Sequence, residues 1–260
     1  MSDGSANPYV KTDVAGAVAT VTFARPEKSN AYDKAMLRAF DDGLRRAAGD
    51  PAVRVVVLRG EGRHFSAGAD LAAEAAQAEV IAPSLPEVCL HLAELPKPTI
   101  ALVQGACLGG SMAFAACCDI VIAARNAFFS LPEARIGFAP LPLIPFIVRA
   151  VGERQARRLL MTGARFDAAE GLRIGLVSEI CESDGMERAL AAAVADLMQS
   201  APGAVTTIKT QVARLRDRQP TVELLAELQA AFDAAGRSAE AQEGRTARRE
   251  KRPPSWAVRS

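Results

Sequence analysis

The chain has 260 residues, half of them apolar, with Lys plus Arg at 31 against 30 for Asp plus Glu. That is enough to bury a large core in one big domain, or one with a small appendage, and a net charge of +1 gives no general field for nucleic acid or an anionic membrane. The start, MSDGSANPYV, lacks a charged region followed by an apolar one, and no apolar run approaches the roughly 20 residues of a membrane helix, so a cytoplasmic protein is expected.

In chain order, AVATVTF (Ala17 to Phe23) reads as a strand that RPEKSN breaks. Met36, Leu37, Phe40 and Leu44 then recur at helical spacing after Asp33, a candidate N-cap. VRVVVLRG, TIALVQG (Thr99 to Gly105) and DIVIAA (Asp119 to Ala124) are continuous apolar runs, as expected of strands covered on both faces. Ala82 to Pro98, with four prolines, reads as a mobile loop with a short helix inside. From about Gly152 the composition turns helical, with LVSEI as an interposed strand and long helical stretches over 184–215 and 222–249. The run EGRTARREKRPP reads as a solvated helix end rather than a basic recognition tail. Alternating strands and helices argue for an α/β protein of stacked units with a helical C-terminal third.

Cys89, Cys107, Cys117, Cys118 and Cys181 have neither disulfide-framework spacing nor a CxxC pair, and read as reduced core thiols. No metal site is expected, because His64 and His91 form no spaced ligand pair.

Two segments share a design: FSAGADL (Phe65 to Leu71) and LGGSMAFAA each follow a strand and open a helical stretch. Glycine lets a ligand approach backbone N–H groups closely, and a helix start adds unpaired donors. One N–H from Ala69 and one from Gly110 would together form an oxyanion hole able to polarise a thioester carbonyl. Taken singly, each segment reads as an ordinary strand-to-helix turn; the two together, in this order, are more specific.

FSAGADL, VQGACLGGSMAFAACCDIVIAA, AFFSLPEARIG and RQARRLLMTGARFDAAEGLRIGLVSEI together resemble the crotonase, or enoyl-CoA hydratase/isomerase, superfamily, in register from about residue 10 to the basic tail. The resemblance implies a spiral of stacked ββα units over 1–200, a C-terminal helical oligomerisation region over 201–260, and a homotrimer or homohexamer. It implies an acyl-CoA thioester as substrate, no permanently bound cofactor, and Ala69 and Gly110 as oxyanion donors. It also places Lys28 and Ala31 along the CoA path and Ala67 near the adenine, with an exposed turn residue as the equal alternative for Lys28.

Two-carboxylate hydratases of the superfamily carry a glutamate where this chain has Ala113, while the second, downstream glutamate is kept as Glu133. Glu133 is therefore the candidate acid and base, against the plain reading of a surface glutamate. The segment IGFAPLPLIPFIVRAVG is similar to the branch that includes methylglutaconyl-CoA hydratases. That similarity implies a branched or carboxylated 2-enoyl-CoA, with Arg135 as candidate partner for a carboxylate. One carboxylate also suffices to move a double bond from C3 to C2, and thioester hydrolysis or decarboxylation use the same hole. Two readings from other classes stand beside these: a serine hydrolase with Ser111 as nucleophile, and an acyl-CoA binder without chemistry.

Overall fold

The computed structural model describes residues 7–76 and 83–257, and the chain divides into two compact units, residues 1–191 and 192–260. The first unit opens with β1 (Val10–Ala15), β2 (Val18–Phe23), α1 (Lys34–Gly49) and β3 (Val55–Gly60). It continues through α2 (Leu71–Ala76), α3 (Leu85–Ala93), β4 (Thr99–Val103), β5 (Ala106–Leu108) and α4 (Gly110–Cys117). Then come β6 (Ile120–Ala124), β7 (Phe128–Ser130), α5 (Ile144–Thr162), β8 (Phe166–Asp167), α6 (Ala168–Arg173) and β9 (Glu179–Cys181). Helix α7 (Met186–Gln199) crosses the division, and α8 (Pro202–Leu215), α9 (Val222–Ala235) and α10 (Ala239–Glu250) complete the second unit.

Asp33 caps α1 as expected, its side chain accepting from the Met36 N–H at 2.8 Å. Met36, Leu37, Phe40 and Leu44 form the buried stripe of that helix, each contributing roughly 1.5–3 kcal/mol by leaving water. The apolar runs around Val55, Thr99 and Ile120 become three neighbouring parallel strands in a sheet of order β1-β2-β3-β4-β6-β9, with only β1 antiparallel to its neighbour.

A second sheet, β5-β7-β8, gives the spiral its step. β4 in the large sheet leads to β5 in the small one and on to α4; β6 leads likewise to β7 and on to α5. β3 begins a third such turn, since Ser66 pairs in parallel with Cys107 of β5 as an isolated bridge. Each turn therefore leaves its strand ends and helix start on the same side, and the two glycine segments meet there.

The short helix expected within 82–98 is Leu85–Ala93, held by a Ser84–Glu87 capping box and burying Val88, Cys89 and Leu92. One stretch differs from its sequence reading. The helical character placed from Gly152 begins at Ile144, because Gly152 (φ 75°, ψ 160°) interrupts a helical run with a proline in its first turn rather than starting one.

In the second unit, Thr221 and Ser238 cap α9 and α10 through their hydroxyls. Arg252 grips Glu243 with two nitrogens at 2.7 and 2.9 Å, which folds the basic tail back on α10. Ile208 and Val212 on α8, and Leu225 and Phe232 on α9, remain exposed. Among the described residues no helix is long and apolar enough to cross a membrane.

Candidate active site

The two glycine turns are tied together before any ligand arrives. Ser66 donates its N–H to Ala106 O at 3.0 Å, and Leu108 returns an N–H to Ser66 O at 3.1 Å. A Cβ on Gly68 (φ +94°) would stand 2.8 Å from Leu108 O and 3.8 Å from Gly109 Cα, so only glycine lets the turns approach this closely. The donors expected from the sequence follow immediately: Ala69 after Gly68, and Gly110 after Gly109. Among the described residues neither the Ala69 nor the Gly110 N–H has an acceptor, and Gly110 is the first residue of α4, where such a donor is unclaimed by helix geometry.

Ser111 belongs to this scaffold. It is fully buried, its Oγ lies within donating distance of Leu108 O (2.6 Å) and Ser66 O (2.9 Å), and it accepts from Leu108 N at 3.0 Å. Neither histidine serves it: His64 Nδ1 accepts from Ala106 N at 3.0 Å, and His91 Nδ1 faces Asp41 Oδ1 at 2.7 Å. Among the described residues no base stands at the hydroxyl, as a serine hydrolase would require.

Glu133 stands in a 3₁₀ turn, Pro132–Ile136, directly after β7. Gly109 N–H donates to Ser130 O at 2.8 Å, which sets this turn beside the second glycine segment. A Cβ on Gly109 would meet Glu133 Oε1 at 2.9 Å, so the carboxylate lies against the Gly109–Gly110 pair. Its Oε2 is buried and has no hydrogen-bond partner among the described residues. Burial pushes the carboxyl above its usual range, opposed by a bond from its own backbone N–H. A carboxylate left in this state is suited to taking and returning a proton. Ala113, on the same helix, is fully buried in the core and offers only a methyl.

The residues expected along the CoA path are also gathered. Ala67 N–H donates to Ser29 O at 2.9 Å and Ala31 N–H to Lys28 O at 3.0 Å, which joins the segment before Ala69 to the loop carrying Lys28. Lys28 is exposed in the 3₁₀ turn Pro26–Lys28, and its charge helps hold the Asp70 carboxyl low, after stronger contributions from the Ala73 N–H and Arg25. Arg135 points elsewhere: its Nε donates to Thr162 O at 2.9 Å, where it satisfies the end of α5.

Three contributors escaped the sequence reading. Arg25 Nη1 holds Asp70 at 3.0 Å and Ala31 O at 3.2 Å. Asn30, fully buried with φ +56°, gives Nδ2 to Glu61 O and His64 O and takes the Arg25 N–H on Oδ1. Tyr32 bridges to Ala69 through its backbone. The one available signal was Asn30, since asparagine is the residue most at ease in a left-handed position outside glycine.

The family model described as enoyl-CoA hydratase/isomerase matches residues 13–259. The chain is 33% identical over 271 aligned residues, 100% of each chain, to cyclohexa-1,5-dienecarbonyl-CoA hydratase of Thauera aromatica. It is 35% identical over 170 residues, 64% of this chain and 67% of the relative, to 2,3-dehydroadipyl-CoA hydratase of Escherichia coli K12. The fold matches the crystal structure of an enoyl-CoA hydratase from Shewanella pealeana with a TM-score of 0.90 at 31% identity, covering 98% of this chain and 97% of that one. Agreement in sequence and fold along nearly the whole length means that the chain belongs to the enoyl-CoA hydratase/isomerase family, the crotonase superfamily.

Proposed function

We propose that the protein adds water across the C2–C3 double bond of a 2-enoyl-CoA, with the thioester oxygen held by the Ala69 and Gly110 N–H groups and Glu133 moving the proton. The observation that carries this reading is the buried Glu133 oxygen, without a partner among the described residues, beside a turn whose N–H group has no acceptor among them either. Glu133 takes a proton from water, the water oxygen bonds to C3, and the π electrons pass through C2 to the thioester oxygen. The resulting enolate is stabilised by two donors, each typically worth about 3–4 kcal/mol of barrier. Protonated Glu133 then delivers its proton to C2 and the thioester carbonyl re-forms. Lys28, Ala31 and Ala67 line the CoA path, and CoA enters as part of the substrate rather than as a resident cofactor.

Hydration is favoured over double-bond migration by the hydratase names of the relatives. A carboxylated acyl group is disfavoured, because its candidate partner Arg135 is engaged by Thr162 O. The exposed apolar residues of α8 and α9 support the 201–260 region as the surface by which copies associate into trimers or hexamers.

The test is incubation with crotonyl-CoA, a 3-methyl-branched 2-enoyl-CoA, 3-methylglutaconyl-CoA and a 3-enoyl-CoA, following 2-enoyl absorbance and product mass beside Glu133→Gln. Loss of the 2-enoyl signal with gain of one water, abolished in the variant, is expected. Turnover of the 3-enoyl substrate alone would replace hydration with isomerisation.

A further inference from the structure

Two polar side-chain oxygens meet the Gly109–Gly110 pair. Glu133 Oε1 lies 2.9 Å from a Cβ built on Gly109, and Tyr32 Oη lies 2.0 Å from a Cβ built on Gly110. Neighbouring Cα atoms are about 3.8 Å apart, so the phenol and the carboxylate flank adjacent residues of one turn.

Tyr32 is fixed from both ends. Its N–H donates to Gly68 O at 2.9 Å and its carbonyl accepts from Asp70 N–H at 2.8 Å, which locks its backbone beside Ala69. Its ring packs at 5.7 Å from Phe114 of α4 and 6.4 Å from Phe23, with 1% of the residue exposed. The side chain thus reaches from one proposed oxyanion donor to the other. Leu85 Cδ2, 2.5 Å from the same Gly110 Cβ position, covers that side of the turn. One helical turn beyond Gly110, on the same face of α4, Ala113 supplies no polar atom.

Hydration makes two demands here: a base for the proton of water, and a group that holds the water oxygen against C3 while the base works. Glu133 meets the first. We infer that Tyr32 meets the second, its hydroxyl donating a hydrogen bond to the reacting water; this role rests on the hydratase reading above. The water O–H bond breaks toward Glu133, the O–C3 bond forms, and C2 later receives the same proton. Tyr32 keeps its own proton throughout and is neither oxidised nor consumed.

The experiment compares two reactions of the same site in the full-length protein. Hydration of crotonyl-CoA needs the ordered water; exchange of the C2 protons of butyryl-CoA with deuterium needs only Glu133 and the oxyanion donors. Tyr32→Phe is expected to lower hydration kcat by roughly 10- to 100-fold with KM little changed, and to leave exchange within about twofold. Equal loss of both reactions would overturn the proposal in favour of a structural role, and retention of both would overturn it outright. A fluorinated tyrosine at position 32 preserves the shape and acidifies the hydroxyl, which covers the case in which Tyr32→Phe does not fold. It is expected to move the alkaline limb of hydration, and not of exchange, to lower pH; an unmoved limb refutes the role. A wild-type protein that exchanges without hydrating any enoyl-CoA refutes the hydratase reading and Tyr32's role with it, whereas a hydratase indifferent to Tyr32 refutes this role alone.

Discussion

Replacing Gly109 with alanine tests the site at its tightest point. Gly109 has φ 55° and ψ −132°, a combination that crowds the Cβ of an L residue and costs on the order of 1–3 kcal/mol to maintain. The new methyl would also stand 2.9 Å from Glu133 Oε1, closer than real Cβ contacts, so the carboxylate must swing away. Because that oxygen ends a flexible side chain, the clash is relieved by displacement and adds little to the cost of folding. The two effects can be measured separately. At roughly 2–4 °C per kcal/mol for a domain of this size, scanning calorimetry is expected to show Tm lower by about 2–12 °C. A carboxylate displaced by about 1 Å is expected to lower hydration kcat by roughly 100-fold. Unchanged Tm would refute the backbone argument, and a lowered Tm with full kcat would refute the placement of Glu133 in the chemistry.

Glu133→Gln is expected to cost hydration roughly 10²–10⁴-fold and yet to leave Tm near neutral pH equal or higher. The sign follows from linkage: burial raises the folded carboxyl above its unfolded value, so ionising it destabilises the fold at every pH above the latter. A Tm below wild type near neutral pH would contradict that. For the same reason, wild-type kcat should rise with pH through a limb above the ordinary glutamate value of 4.5, and a limb at or below it would refute the desolvated base. Asn30→Ala removes one accepted and two donated bonds at a fully buried site; urea titration is expected to show a loss of about 2–4 kcal/mol. In the second unit, Arg252 and the Ser255 N–H hold the Glu243 carboxyl down at about 2. Its stabilisation is complete above the ordinary value of 4.5 and is lost as pH falls toward about 2, so Glu243→Gln should flatten acid unfolding followed by the single tryptophan, Trp256.

The large sheet and its helices were legible because their signals are local and long. β3, β4 and β6 are largely apolar runs, and α1 carries a cap three residues before its first core position. β1 was missed because VKTDVA is largely exposed and polar, and is a strand only through its pairing with β2. The small sheet was missed because strands of two or three residues hold too little sequence to show a period.

The sequence by itself determined the family, the two glycine segments, and the placing of Glu133 downstream of them with Ala113 between, since each is a residue identity at a fixed spacing. Only the tertiary structure decided which side chains share the Gly109–Gly110 turn. Tyr32, Leu85 and Glu133 lie far from it or apart from one another along the chain, and nothing local tells a tyrosine hydroxyl to end over Gly110. The same holds for Arg135, which the chain places two residues after Glu133 and the fold turns toward Thr162. The direction of a side chain is set by what packs around it, and those neighbours come from other turns of the spiral.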